Sequence, residues 1–423
     1  MKGLGSISSI GRIFASLYAI AKEEFLYLIK GRPPVALVPF IVPLGFAVLF
    51  GLIYQENVVN HIPMVVWDED QSATSRSLIE AYTDADRFTF VAQVSDEASM
   101  REAIHDGEAR VALAIPRNFD KDLKSGRGAD FMLMVDSSNN MFGNAAISAS
   151  QEVSRSFSVA AGQQLLESQG LLPDDAINSV YPVRMGVRIL GNPANGYSSF
   201  MLSGLMMNGL QIGVMLSLAP ALVTELLQPR WRKKHPFLIL VGKSIPYWLL
   251  SFAAYLLSLY LIIHVFAVPM RGSWGEAMLL GASFIFFVSS VLHIFSSCCP
   301  SRVLSLQAPM VYIMPGLLYS GLSWPNFDMS SIASVLGMLM PMTYGGDTLR
   351  DILLNGTAPT LYTNCKIMLL GGIGCQLVAA GLFYLRRRFH IWTDESGTAN
   401  ASGTSHINGG KGEHDETSAG NEA

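Results

Sequence analysis

The sequence predicts an α-helical polytopic membrane protein, with six transmembrane helices and an α/β extracytoplasmic domain inserted between the first and second. Three observations predict it. Only 15% of the 423 residues are charged and 50% are hydrophobic, whereas soluble domains carry roughly 25% charged residues. Seven windows hold no Asp, Glu, Lys or Arg: 33–55, 189–224, 244–270, 277–301, 303–327, 329–346 and 367–385. By contrast, residues 56–188 hold 31 of the 62 charged residues, an ordinary globular density.

A bilayer core takes about 20 apolar residues in helix, and a charge at its centre costs about 2.5–3.5 kcal/mol. Residues 1–32 precede the first window as a cytoplasmic amphipathic segment. There Ile10, Phe14, Leu17, Tyr18, Phe25 and Leu28 recur at helical spacing among Arg12, Lys22, Glu23 and Glu24, as in a helix lying in the membrane interface. Gly31-Arg32-Pro33 bends the chain into transmembrane helix 1, at 33–55. The apolar run starts too late and runs too long for a cleaved signal peptide. Residues 56–195 form the inserted domain, in which strand patterns at 61–67, 88–94, 110–115 and 131–135 alternate with helical ones at 72–82, 96–106 and 118–124. Such alternation favours a small α/β layer. Ser72 is placed to cap the first of these helices, and one long polar helix follows from Asn139 to about Gly170. Transmembrane helix 2 takes 196–223, and a polar cytoplasmic loop takes 224–243. Helices 3–6 occupy 244–390, where the short window 329–346, broken by Pro341 and Gly345-Gly346, reads as a re-entrant segment. The tail 391–423 has the composition of a disordered segment.

Six spans place the N-terminal basic residues, Arg230 through Lys243, Arg302 and Arg386–Arg388 on one side, leaving Arg271, Arg350 and Lys366 in the opposite short loops. Positive charge marks the cytoplasmic side, so both termini are expected there. Chemistry is sparse. With 29 Lys+Arg against 33 Asp+Glu, no basic excess suits a nucleic acid. The 4 cysteines make no disulfide scaffold, and His61 and His105 are isolated from other metal ligands. Asp68, Asp70 and Asp136 follow strands, where turn and cap chemistry explains them. Gly242-Lys243-Ser244 lacks the upstream glycine of a phosphate-binding loop, and Lys243 reads as a snorkelling lysine at the mouth of a span. His264 and His293 fall within spans that offer them no charged partner, which favours structural hydrogen bonding over proton relay. A proton-coupled secondary transporter would require buried acids near the midplane, and a membrane-anchored ligand sensor would require an output domain.

Five segments, in order, resemble the ABC-2 type permeases of type-2 ABC exporters, in the multidrug-efflux-like subfamily with a large periplasmic insertion. They are HIPMVVWDEDQS at 61–72, with Asp68 and Asp70; Gly107 through Ile115-Pro116-Arg117-Asn118-Phe119; Val135-Asp136-Ser137-Ser138-Asn139; Ser320-Gly321-Leu322-Ser323-Trp324-Pro325; and Pro341-Met342-Thr343-Tyr344 through Leu349-Arg350 to Gly356. The family's Gly-Thr pair is missing from the cytoplasmic loop, where Thr224-Glu225-Leu226-Leu227-Gln228-Pro229 stands. The resemblance implies a multi-pass permease of the bacterial inner membrane with no motor of its own. ATP and Mg would sit on a separate ATP-binding subunit, and a second permease subunit, in a homo- or heterodimer, would complete the path. A periplasmic adaptor and an outer-membrane duct would receive the cargo. Glu225, Arg230, Arg232, Lys233 and Lys234 are the candidate residues coupling this chain to the ATP-binding subunit.

Overall fold

The computed structural model describes residues 3–31, 33–56, 58–193, 196–227, 230–231 and 233–389. The expected tail and Arg232 lie outside them. The chain divides into two compact units, Met1–Leu52 with Met201–Ala423, and Ile53–Phe200.

The first unit opens with α1 (Gly3–Leu26), a π turn over Tyr27–Gly31, and α2 (Pro33–Ile53). In the second unit, β1 (Ile62–Asp68), α3 (Ala73–Thr83), β2 (Phe88–Gln93), α4 (Glu97–His105), β3 (Val111–Ile115), α5 (Phe119–Lys124) and β4 (Met132–Val135) alternate before α6 (Asn140–Ser168) and α7 (Pro173–Val180). The sheet order is β2-β1-β3-β4, parallel across β1 and antiparallel at β4. Alternate residues of the central strands serve two cores. Met64, Val66, Val111 and Leu113 meet Leu78 and Tyr82 of α3 and Ala146 and Ala149 of α6, while Val65, Ala112 and Ala114 meet Met100 and Ala103 of α4. That two-sided burial explains the near-continuous apolar runs of β1 and β3. Ser72 closes a capping box with Ser75 at the start of α3, and Asn139 caps α6 by accepting from the Met141 N–H.

The chain returns through α8 (Tyr197–Leu227), α9 (Pro236–His264), α10 (Trp274–Cys298), α11 (Arg302–Ile313), a 3₁₀ turn over Met314–Ser320, α12 (Ser331–Met338), α13 (Pro341–Asn355) and α14 (Leu361–Arg388). Among the described residues, six helical stretches are long and apolar enough to cross a membrane: Pro33–Ile53, Tyr197–Leu226, Pro236–His264, Trp274–Cys298, Arg302–Ser320 and Leu361–Arg388. The fifth has only 19 residues. Its twelve α-helical residues and the 3₁₀ turn, at about 1.5 and 2.0 Å per residue, reach roughly 30 Å, enough for a bilayer core.

Small residues set the packing, as they do where lipid removes the hydrophobic drive between helices. Pro39 and Pro43 of α2 lie over Gly209 and Gly213 of α8, where an added Cβ would meet Pro43 Cα at 3.1 Å and Pro43 Cδ at 3.2 Å. Buried serines recur every seven residues on α9 (Ser244, Ser251, Ser258) and α10 (Ser283, Ser290, Ser297). The hydroxyls of Ser244, Ser283 and Ser290 donate to the carbonyls one turn back at 2.7–2.8 Å, so they enter an apolar environment already satisfied.

The expected re-entrant segment at 329–346 holds α12 and the start of α13. Its break falls at Leu339-Met340, ahead of Pro341, which disfavours helix in the residue before it. Beyond that break α13 continues to Asn355. Gly345 and Gly346, read from sequence as breakers, lie inside α13. A Cβ at Gly345 would stand 2.6 Å from the Phe284 ring, and one at Gly346 would stand 2.6 Å from Leu322. They are glycines because neighbouring side chains occupy that space.

Candidate coupling site

One face of α1 and the π turn that continues it presents Ile20, Glu24 and Leu28 at four-residue spacing, and all three are buried. Ile20 packs on Gly242 of α9, where a Cβ would lie 2.9 Å away. Gly242 therefore serves helix approach, in keeping with its failing the phosphate-loop pattern. The next residue, Lys243, extends to two carboxylates. Its Nζ lies 2.9 Å from Glu24 Oε2 and 3.2 Å from Glu225 Oε2. Tyr247, one turn on, donates to Glu24 Oε1 at 3.1 Å, and the Trp231 N–H donates to Glu225 Oε1 at 2.9 Å. Glu24, Glu225 and Lys243 are only 5%, 2% and 5% exposed. A cavity of about 40 Å³ opens beside them, lined also by Ser217 and Thr224, with room for a water molecule.

Lys243 is therefore not a snorkelling lysine. It sits two turns inside α9 and neutralises one of two buried acids. The expected loop at 224–243 is shorter too. Helix α8 runs through Leu227 and α9 starts at Pro236, whose missing N–H suits a first helical position. Among the described residues no separate helix lies between them. Of the candidate coupling residues, Glu225 belongs to the last turn of α8, inside the cluster. Arg230 stands at its rim, 3.3 Å from Glu23 and 5.1 Å from the Tyr27 ring. Lys233 is exposed, and Lys234 donates to Ser16 Oγ at 2.8 Å. Arg232 is outside the described residues. Sequence reading missed Glu24, Lys243 and Tyr247. The available signal was an acid on the buried stripe of α1, with a lysine and a tyrosine four apart on α9.

A second polar link lies deeper. His293 of α10 bridges Ser244 Oγ of α9 (2.8 Å) and Gln376 Oε1 of α14 (2.9 Å), the structural bonding expected of it. Arg386, at the end of α14, donates to the carbonyls of Ser297 (3.0 Å) and Cys299 (2.6 Å), satisfying the C-terminus of α10.

The other motif residues are not gathered at one place. Gly321 turns the chain after the fifth crossing at φ +86°, with Pro325 just before a short 3₁₀ turn at Asn326–Asp328. Pro341 starts α13, on which Arg350 pairs with Asp347 at 2.8 Å. In the second unit, Asp70 accepts from the Asp120 N–H at 3.1 Å. Asp136 accepts from the Ser138 N–H and pairs with Arg110 at 2.5 Å. Ser138 and then Arg110 hold its carboxyl down at about 2. Asp68 is 6% exposed and accepts from the Asp70 and Gln71 N–H groups at 3.0 Å and from Ser75 Oγ at 2.7 Å. Asp68→Ala strands those donors, so the unit is expected to lose about 1–3 kcal/mol, seen as faster hydrogen exchange in α3. Unchanged exchange there would show the turn to hold itself.

Among the described residues no three His, Cys, Asp or Glu converge as metal ligands. Six helical stretches long and apolar enough to cross a membrane, among the described residues, and a separate unit with a small sheet describe a multi-pass membrane protein. The chain belongs to the ABC-2 transporter family: the family model described as "ABC-2 family transporter protein" matches residues 36–380. It is similar to the probable multidrug ABC transporter permease YbhR of Escherichia coli strain K12, and to the protein of that name in Escherichia coli O157:H7. Each is 22% identical over 367 residues, covering 83% of this chain and 93% of the relative.

Proposed function

We propose that this chain is the membrane-spanning permease subunit of an ATP-driven exporter, moving an amphiphilic or drug-like substrate out of the cytoplasm or inner membrane of a bacterium. It is not itself an enzyme in this reading. A separate ATP-binding subunit holds ATP and Mg, a second permease subunit completes the path, and a periplasmic adaptor and outer-membrane duct can take the cargo onward. Both termini face the cytoplasm, and the unit around the sheet lies in the periplasm.

The Glu24–Lys243–Glu225 cluster carries the proposal. It ties α1 to the adjoining ends of α8 and α9 by charges that cannot separate without desolvated acids being left unpaired. A push on the α8–α9 turn is therefore delivered to three helices together. Beside it, exposed Lys233 and half-exposed Arg230 offer charge for setting the register of a docked subunit. Charge-free stretches such as 244–270 and 277–301 suit amphiphilic cargo better than ions.

Vesicles holding this chain and its ATP-binding subunit are expected to expel an amphiphilic dye with ATP and Mg, regardless of an uncoupler. Lys233→Glu is expected to slow export several-fold while the chain inserts normally. Export that collapses with the uncoupler would overturn the ATP-driven reading, and wild-type export by Lys233→Glu would remove the turn from the docking surface.

A further inference from the structure

Within the unit Ile53–Phe200, helices α3 and α6 meet at one end and part at the other. Where they meet, the Tyr82 hydroxyl lies 2.9 Å from Ser154 Oγ. One turn further along α6, Phe157 stacks on Phe119 of α5, with 6.5 Å between ring centroids. Beyond Phe157 the helices leave a cavity of about 670 Å³. Small-molecule sites commonly take about 300–1,000 Å³.

The walls of this cavity are built of short side chains. Ala73 and Ser77 line it from α3, and Ala160, Ala161 and Ser168 line it from α6. Proteins otherwise pack their helices to the density of organic crystals, and leucine at these positions would occupy the space. The half-buried Leu123, Phe157 and Leu165 supply an apolar lining. Lys124 is the one charged side chain that lines the cavity, and it is 67% exposed.

We propose that this cavity binds a single-chain amphiphile with an anionic head, its chain against Leu123, Phe157 and Leu165 and its head on Lys124. The proposal rests on the export reading for its link to cargo, and names the class of substrate. Charge selects the head. The unit carries 20 acidic and 11 basic residues, so a cavity whose single charge is a lysine favours an anion over a cation. The lysine is free to turn. It holds Asp120 Oδ2 at 2.8 Å in an exposed pair one helical turn apart, and such pairs contribute little. Asp120 is not stranded by the exchange, because it also accepts from the Thr74 hydroxyl. A neutral amphiphile would gain only the apolar lining, and a cationic one would meet the lysine.

Photolabelling of the full-length chain in open membrane fragments tests it. The probe is a decanoate with a diazirine midway along its chain, and labelled peptides are mapped by mass spectrometry. Saturable labelling is expected within 73–77 and 157–168, displaced by plain decanoate but not by decanol. Lys124→Glu is expected to weaken that labelling several-fold. Ala160→Leu and Ser77→Leu fill the cavity from opposite walls. Each is expected to abolish the labelling while Tm stays level or rises, as cavity filling does. Displacement by decanol as readily as by decanoate, or full labelling of Lys124→Glu, overturns the anionic head. Wild-type labelling of either filled variant that keeps its Tm, or no saturable labelling of these peptides in the wild type, overturns the site. None of these readouts needs ATP or transport. Saturable labelling in a chain that does not export would count against the export reading alone, and export without such labelling against this site alone.

Discussion

Lys243→Met is expected to be the most damaging single change in the membrane unit, costing about 3–5 kcal/mol, the range for breaking a buried ion pair by removing one partner. The lysine is the cation between Glu24 and Glu225, and methionine fills its volume without its charge. What remains is two carboxylates, 5% and 2% exposed, at the junction of α1, α8 and α9. Thermal unfolding of the detergent-solubilised protein should show a clear drop in Tm, and export should fall with it. The charge explanation has its own control. Glu24→Gln in the Lys243→Met background removes one stranded acid and should recover part of the loss, although Glu24→Gln alone is harmful. Additive losses in the double variant would mean that packing, not charge, is responsible. A Lys243→Met protein as stable as the wild type would dismiss the cluster altogether.

Gly281→Val is expected to come next. Glycine 281 lies under the Tyr255 ring, and a Cβ there would stand 2.3 Å from it. The ring is fully buried, and its hydroxyl is held by the Ala277 carbonyl at 2.9 Å, so it has nowhere to move. Overpacking of this kind costs typically 1–3 kcal/mol and should push α9 away from α10. Tyr255→Leu in the same chain opens the space and should return part of the stability. Gly275→Val is the matched control on the same helix, since a Cβ there meets only Ser273 Oγ at 4.0 Å. Equal Tm values for the 275 and 281 variants would show that the two helices do not meet as described.

Both changes fall on residues that sequence reading passed over, and the reason is physical. Lys243 ended a charge-free window, so it was assigned to the mouth of a span. Its partners lie 219 residues away in Glu24 and 18 away in Glu225, and only folding sets them side by side. Gly281 sat in a window that needed no explanation, because an apolar run shows that a helix crosses lipid without showing what stands against it. The glycine pair at 345–346 erred the other way. Glycine does weaken a helix by propensity, but the close approach of Phe284 and Leu322 outweighs that local preference.

What the chain determined by itself was whatever composition and short spacing control. The six crossing stretches followed from the cost of charge in hydrocarbon, and the capping role of Ser72 from a hydrogen bond spanning three residues. The strands of the small sheet followed from apolar runs of five to seven residues. What only the tertiary structure decided was which polar groups stay wet and which are buried together. Glu225 and Lys233 look alike in sequence, as charges near one turn between two spans. One is locked inside a three-helix junction and the other faces solvent. Burial depends on the element standing opposite, and no local pattern carries that information.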